Sequence, residues 1–583
     1  MPLGGDTRKW REGTGRGLRD PRLVVLLVLA AMGWSAIVVR LFLVQVFDHA
    51  WYAGLASGQR ELFRRIYPER GQLFVHDRRH ADGRFPIATN VEVYTIVADP
   101  RSVRDPKGSA QQLAPLLGRD AAALEEQLAR SGRAYEALKR KASREERDAV
   151  LALHVQGIRA DAALIRLYPD GSAMAQITGF LGEDAQGVSG KYGLEGAEDR
   201  VLAGTAGFLD AEHDPRGRWI VFGRRAAAAV HDGADLQLSL ERELQLEVCQ
   251  ELELAVRAHG ASGGTVVVVR PETGAIRAMC SVPSFDPNAY ATVKDFSRFS
   301  APAVTAAYEP GSVFKPITMS AAIEAGAVQP ATRFVDTGSL TIGGFTITNT
   351  NRRVFGDQSM ADVLRFSINT GAVFVAQHLG IDRFRSAVER FGFGALTDVG
   401  LSGEVPGDVS NLAHREDVYL ATASYGQGIT VTPLQLAMAY ATIANGGKLM
   451  QPQLVEAELA ADGTVHRIEP RVVRQVLSPR TATLLQGMLV SVVREGYPKR
   501  AGVAGYRVGG KTGTAQIPFS DHPGYSADTI QTFAGIGPVD HPTFAMVIRI
   551  DRPREPFADA TAAPLFSTIA KFILQYDGIP PSA

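Results

Sequence analysis

The sequence predicts an α/β protein of the α+β kind, carried on a single N-terminal membrane-spanning helix. Three observations predict it. Residues 23–46 form a run long and apolar enough to cross a bilayer. Residues 51–233 alternate short strand-like pieces with charged, Ala-rich helical ones. Residues 262–576 open on a hairpin, continue mostly as helix, and close on strands and a helix. A chain of 583 residues exceeds what one hydrophobic core serves, so two or more domains are expected. With 45% hydrophobic and 21% charged residues the composition is globular. The 62 basic residues balance 62 acidic ones, which removes any global argument for a nucleic acid partner.

The apolar run begins as "LVVLLVLAAMGWSAIVV", Leu23 to Val39, without a charge, and resumes after Arg40. Counted through Val46 it gives about 36 Å of helix, enough to span with some tilt. Arg40 then lies toward the far face, where its stem carries the guanidinium to the headgroups. Arg8, Lys9, Arg11, Arg16, Arg19 and Arg22 outnumber Asp6, Glu12 and Asp20 ahead of it, which predicts a cytoplasmic N-terminus and an exported remainder. A cleaved signal peptide is the alternative, but its apolar core usually runs only about 7–15 residues. An uncleaved anchor is the expectation.

Beyond the anchor, "VEVYTIVADP" (91–100) reads as a strand. "DAAALEEQLARS" (120–131) and "SREERDAVLALHVQGI" (143–158) read as helices, with Asp120 and Ser143 as N-caps. "GGTVVVVRPETGAIRAMCSV" (263–282) reads as a hairpin turning at Pro-Glu-Thr-Gly. "QLAMAYATIANGG" (435–447) has helical spacing and a stop signal in Asn-Gly-Gly. "RVGGKTGTAQI" (507–517), "TFAGIGPV" (532–539) and "TFAMVIRID" (543–551) are strands, and "PLFSTIAKFILQY" (564–576) is a closing amphipathic helix. The order predicts one sheet whose early and late strands lie side by side, with helices on its faces.

Cys249 and Cys280, the two cysteines, form no metal-ligand cluster. A disulfide between them is possible in an oxidising compartment, but Cys280 lies in an apolar strand-like run and plain buried thiols are the expectation. No HExxH or CxxC pattern gives the histidines a zinc role, and no metal or cofactor is expected.

The stretch "YEPGSVFKPITMSAAIEAG" (308–326) sets a serine and a lysine one helical turn apart. A helix starting near Ser312 puts Lys315 at i+3, on the same face. Pro316 fits that start, since its missing N–H costs little in a first turn. A serine there also directs its hydroxyl into the positive end of the macrodipole. The Lys315 amine can then accept the Ser312 proton, provided the lysine is neutral. An ordinary lysine is neutral in only about one molecule in a few thousand at pH 7. Burial and a second nearby cation each lower its pKa, so a second lysine is worth seeking.

S-x-x-K alone is short enough to be an exposed first turn. Two further elements alter that balance. "RFSINTGAVF" supplies Ser367-Ile368-Asn369, and "GGKTGTAQ" supplies Lys511-Thr512-Gly513-Thr514 in a strand. Each has a plain reading, as a helix cap or turn and as a polar edge strand. Together and in this order they match the S-x-x-K, S-D-N and K-T-G set of penicillin-binding proteins and class A β-lactamases. Ile368 replaces the aspartate, while the flanking residues that carry side-chain chemistry are kept.

On these motifs the chain resembles the class B penicillin-binding proteins, membrane-anchored peptidoglycan transpeptidases. The resemblance extends to "RRIYPERGQLFVHDRR" (64–79), "GKYGLEGAEDRVLAGTAG" (190–207), "SFDPN" (284–288) and "SYGQGITVTPLQLAMAYATIANGG" (424–447). "YEPGSVFKPIT", "KTGTAQIP" and "FAGIGPVDHPTFAMVIRID" are most similar to the division-associated branch. The resemblance implies a cytoplasmic tail (1–22), an anchor (23–46), a mixed α/β pedestal or dimerisation-like domain (47–235) and a transpeptidase domain (236–583). The last would have a serine β-lactamase-like antiparallel sheet flanked by helices. It implies an inner-membrane protein with an extracytoplasmic catalytic domain.

For the site, the resemblance implies that Ser312 is the nucleophile and Lys315 its base, with Ser367 relaying a proton near Lys511. Asn369 would hold the substrate amide. Lys511, Thr512 and Thr514 would bind the terminal carboxylate, and the N–H groups of Ser312 and Thr514 would form an oxyanion hole. Gly513 is expected where a side chain would block the backbone's approach to substrate. The implied partners are peptidoglycan stem peptides, β-lactams as covalent inhibitors, a SEDS-family glycosyltransferase and other divisome membrane proteins. Elongation-type transpeptidase, D,D-carboxypeptidase, β-lactamase and silent divisome scaffold are the alternatives. The intact motifs disfavour the scaffold, and the anchor and pedestal disfavour the lactamase.

Overall fold

In the computed structural model the described residues are 21–43, 45, 61–66, 68–184, 187–212, 225–519, 521–522 and 524–581. The chain divides into two units, residues 1–68 with 205–231, and residues 69–204 with 232–583. In the first unit a helix spans Pro21–Phe42. It is long and apolar enough to cross a membrane, its described side chains are all exposed, and Arg40 occupies its last turn. The remainder of the expected 23–46 span and the tail 1–20 lie largely outside the described residues. Three antiparallel strands, Glu61–Ile66, Gly207–Glu212 and Arg225–Ala228, form this unit's sheet.

In the second unit the long strand Arg84–Ala98 is the spine of a seven-stranded sheet. Asp120 and Ser143 cap their helices as expected, Ser143 through a capping box with Glu146. The helix expected over 143–158 ends at Leu151. His154 and Gly157 take left-handed backbone, and Ile158–Leu167 becomes a strand paired along Thr89–Ala98. Residues 152–157 form the turn between helix and strand, and only Ile158 of the expected helix enters the ten-residue ladder. The sheet also takes in strands Asp235–Glu241 and Val455–Leu459, so both halves of this unit share it. Glu195, wholly buried, accepts from Arg70 Nε at 2.6 Å and Arg166 Nε at 2.7 Å, tying three distant parts of this unit's sequence together.

The central sheet holds β1 (Gly263–Val269), β2 (Ile276–Val282), β3 (Gly509–Pro518), β4 (Tyr525–Gly537) and β5 (Phe544–Asp551), in the antiparallel order β2-β1-β5-β4-β3. Early and late strands therefore adjoin. Both faces are covered, which is why β1 reads as unbroken valine instead of an alternation. Helices Arg242–Ala258 and Ala562–Tyr576 cover one face through Leu244, Val248, Phe566 and Ile569. Pro433–Ala444, buried on every side, lies in the core of the other.

The cysteine expectation is corrected: Cys249 and Cys280 form a disulfide, with Cα atoms 5.5 Å apart. The helix and the strand bring them together, a pairing that linear spacing does not reveal.

Candidate active site

Ser312 lies in a 3₁₀ turn, Gly311–Phe314, and the α-helix begins one residue later at Lys315. Pro316 occupies its first turn, where no hydrogen bond is lost. Two contacts hold the serine turn. Gly311 N–H donates to the Gly426 carbonyl at 2.9 Å, and Tyr440 donates its hydroxyl to the Val313 carbonyl at 2.9 Å. A Cβ at Gly426 would lie 2.3 Å from the Gly311 carbonyl oxygen. The "SYGQG" segment thus supports the serine turn by close backbone approach.

Lys315 is 1% exposed. Its Nζ lies 2.6 Å from the Ser367 carbonyl oxygen, 2.7 Å from Asn369 Oδ1 and 3.2 Å from Ser367 Oγ. Two carbonyl-type acceptors use both N–H bonds of a neutral amine and leave its lone pair to accept a proton. Lys511, also 1% exposed, donates to Ser367 Oγ at 3.0 Å and to the Thr512 carbonyl at 3.0 Å. Burial, and then the neighbouring Lys511, hold Lys315 well below the usual lysine range. Burial brings Lys511 down to about 7.

Ser367 joins helices Met360–Arg365 and Asn369–Leu379 with φ at 57°, a left-handed conformation that costs a non-glycine residue on the order of 1–3 kcal/mol. A polar network holds it there. Asn349 Oδ1 accepts from the N–H groups of Asn369 and Thr370, and its amide nitrogen donates to Asp336. Asn369 Nδ2 donates to the Thr348 carbonyl at 2.8 Å, so its amide positions Lys315 between two fixed partners.

On β3, Lys511 and Gly513 are buried while Thr512 and Thr514 are half-buried. A Cβ at Gly513 would lie 2.8 Å from the Pro310 carbonyl oxygen and 3.1 Å from Val313 Cγ1. The glycine therefore permits β3 to approach the serine turn closely. β3 ends the sheet, leaving alternate N–H groups without a strand partner. A cleft of about 390 Å³ is lined by Ser312, Ser367, Thr512 and Thr514, with Arg353, Phe355, Tyr497, Phe557 and Asp559 on its walls.

All eight residues singled out from the sequence thus meet at or directly beneath one cleft. Sequence reasoning missed Asn349, Asp336 and Gly426. The first two lie in strand and turn contexts without a motif, while Gly426 fell inside a segment already noted. Among the described residues no group of histidine, cysteine, aspartate or glutamate is arranged to hold a metal.

Residues 264–571 match the family described as penicillin binding protein transpeptidase domain, and residues 65–238 the penicillin-binding protein dimerisation domain. The chain is 31% identical over 567 residues to stage V sporulation protein D of Bacillus subtilis, covering 96% of this chain and 86% of that one. It is 31% identical over 509 residues to the peptidoglycan D,D-transpeptidase FtsI of Escherichia coli, covering 85% and 83%. Its fold is similar to penicillin binding protein 3 of Mycobacterium tuberculosis complexed with aztreonam. The TM-score there is 0.67 at 27% identity, over 89% of this chain and 98% of that one.

Proposed function

The chain belongs to the class B penicillin-binding proteins, peptidoglycan D,D-transpeptidases inhibited by β-lactams, and from that premise we propose how its own residues divide the work. The observation that carries the proposal is the convergence of two buried lysines on the Ser367 hydroxyl, beside a cleft that Ser312 lines. Ser312 Oγ attacks the carbonyl carbon of the penultimate D-alanine, and its proton passes to the lone pair of Lys315. The developing oxyanion is held by the N–H groups of Ser312 and Thr514, a contribution on the order of 3–4 kcal/mol per donor.

The C–N bond then breaks, and the leaving amine takes a proton through Ser367 Oγ, which touches both lysines. Terminal D-alanine departs and leaves an ester on Ser312. The amine of a second stem attacks that ester, forming the cross-link and returning the proton to Ser312. Lys511, Thr512 and Thr514 bind the terminal carboxylate. Asn369 holds Lys315 in place and meets the substrate amide as it enters. Gly513 lets β3 close on the nucleophile.

The proposed setting is septal wall synthesis, with the N-terminus cytoplasmic and residues 47–235 and 236–583 as pedestal and transpeptidase domains outside. The disulfide supports an oxidising, extracytoplasmic location. A SEDS-family glycosyltransferase and other divisome membrane proteins are the proposed partners. The test supplies the full chain in detergent with a D-Ala-D-Ala pentapeptide donor and an amine-bearing acceptor stem. Cross-linked dimer with one D-alanine released per bond is expected. Release of D-alanine with only the hydrolysed tetrapeptide as product would assign a carboxypeptidase instead.

A further inference from the structure

The cleft walls carry one cation and one anion that the proposed chemistry does not use. Arg353 donates through Nη1 to the Tyr497 hydroxyl at 3.0 Å, and its guanidinium lies 4.9 Å from the centroid of the Phe355 ring. These two contacts aim the head group, yet among the described residues it pairs with no carboxylate. Asp559, half-buried and lining the same cleft, likewise makes no hydrogen bond or ion pair among the described residues. Two nearby arginines are paired, although the adjacent Arg352, like Arg353, makes no ion pair among the described residues. Arg333 pairs with Asp357 at 2.8 Å and Arg365 with Asp362 at 2.9 Å. Two opposite charges that line one cleft and, among the described residues, form no ion pair with each other or with a neighbour are complementary to a ligand that carries both. Phe355, Tyr497 and Phe557 supply aromatic surface in the same cleft, suited to a short aliphatic chain.

We propose that Arg353 and Asp559 select a donor stem whose third residue is a diamino dicarboxylic acid, Arg353 receiving the free carboxylate of its side-chain head and Asp559 the ammonium. The inference rests on the transpeptidase reading. The third residue precedes the alanine whose carbonyl Ser312 attacks, so its side chain leaves the backbone about 4.5–5 Å from the acylation point. A head bearing both charges on one carbon satisfies both wall residues. A lysine head offers only the ammonium and leaves Arg353 without a partner, and an amidated head replaces a charge-assisted contact by a weaker neutral one. Arg353 and Asp559 are specificity residues, separate from the groups that move protons.

The test measures D-alanine release by the full-length protein in detergent from four pentapeptides differing only at the third side chain. The heads are the diamino diacid, its carboxamide, lysine, and the diacid acetylated on the head amine. The wild type is expected to favour the diacid in kcat/KM by about tenfold over each of the others. Arg353→Ala should bring the carboxamide and lysine donors to within about twofold of the diacid while keeping discrimination against the acetylated head. Asp559→Asn should do the converse. Wild-type turnover of all four within about twofold, or preferences unchanged in the variants, would overturn the inference while leaving the transpeptidase reading intact. No penicillin adduct on wild-type Ser312 and no release from any donor would overturn that reading, and this inference with it.

Discussion

Replacing Lys511 by methionine keeps an unbranched apolar stem as far as Cε and removes the buried amine. Holding that amine at about 7 when an exposed lysine sits at 10.5 costs roughly 5 kcal/mol at neutral pH, at 1.36 kcal/mol per pH unit. The substitution gives up two hydrogen bonds, to Ser367 Oγ and the Thr512 carbonyl, worth about 1 kcal/mol each. Lys511→Met is therefore expected to be more stable than wild type at pH 7 by roughly 2–3 kcal/mol.

The sign reverses with pH. Between about 7 and 10.5 the unfolded chain binds a proton at Lys511 that the folded chain does not, so wild-type stability rises with pH across that window. Near pH 10 about 1 kcal/mol of that cost remains against the two lost hydrogen bonds, and the variant should be the less stable by about 1 kcal/mol. The assay is thermal unfolding of the full chain in detergent from pH 7 to pH 10, with penicillin acylation measured alongside. Acylation should fall by about 10²–10³ while stability at neutral pH rises. A variant already less stable at pH 7, by a margin constant across the range, would refute the buried low-pKa amine.

Ser312→Ala should lose all covalent labelling by a fluorescent penicillin, while its melting temperature stays within about 1 °C of wild type. Lys315→Ala should acylate at least about 10³-fold more slowly by stopped-flow labelling, and near-normal acylation would require another base. Glu195→Gln leaves Arg70 and Arg166 facing a neutral amide, and denaturant melts should show a loss of about 3–5 kcal/mol. Replacing both Cys249 and Cys280 by alanine opens a loop of sequence separation 31, for which chain entropy predicts a loss of about 3–4 kcal/mol in the same assay.

The site was legible because its chemistry is written in short, rigid local patterns. Ser312 and Lys315 are fixed three residues apart by one turn of helix, and Lys511 is fixed by a strand whose neighbours alternate. What draws them together was legible only as order along the chain. Ser367 adopts its left-handed backbone because Asn349, Asp336 and Thr370 converge on the start of the Asn369 helix, a three-body arrangement that no linear spacing encodes. The close fit at Gly513 is illegible for the same cause: the atoms that a side chain would meet belong to Pro310 and Val313, some two hundred residues away. The central sheet followed from the hairpin at 263–282 and the late strands, since pairing of first and last strands is what buries both. The helix expected over 152–158 gives way to a turn in which His154 and Gly157 take left-handed backbone, and only Ile158 enters the ladder with 89–98.

The central claim, that Ser312 is the group acylated beside two buried lysines, is tested most directly by peptide mapping. The full-length protein is treated with a penicillin, digested, and the adduct located by mass spectrometry. The account predicts one penicilloyl group, carried on Ser312. An adduct on any other residue, or β-lactam consumed with Ser312 unmodified throughout, would contradict it.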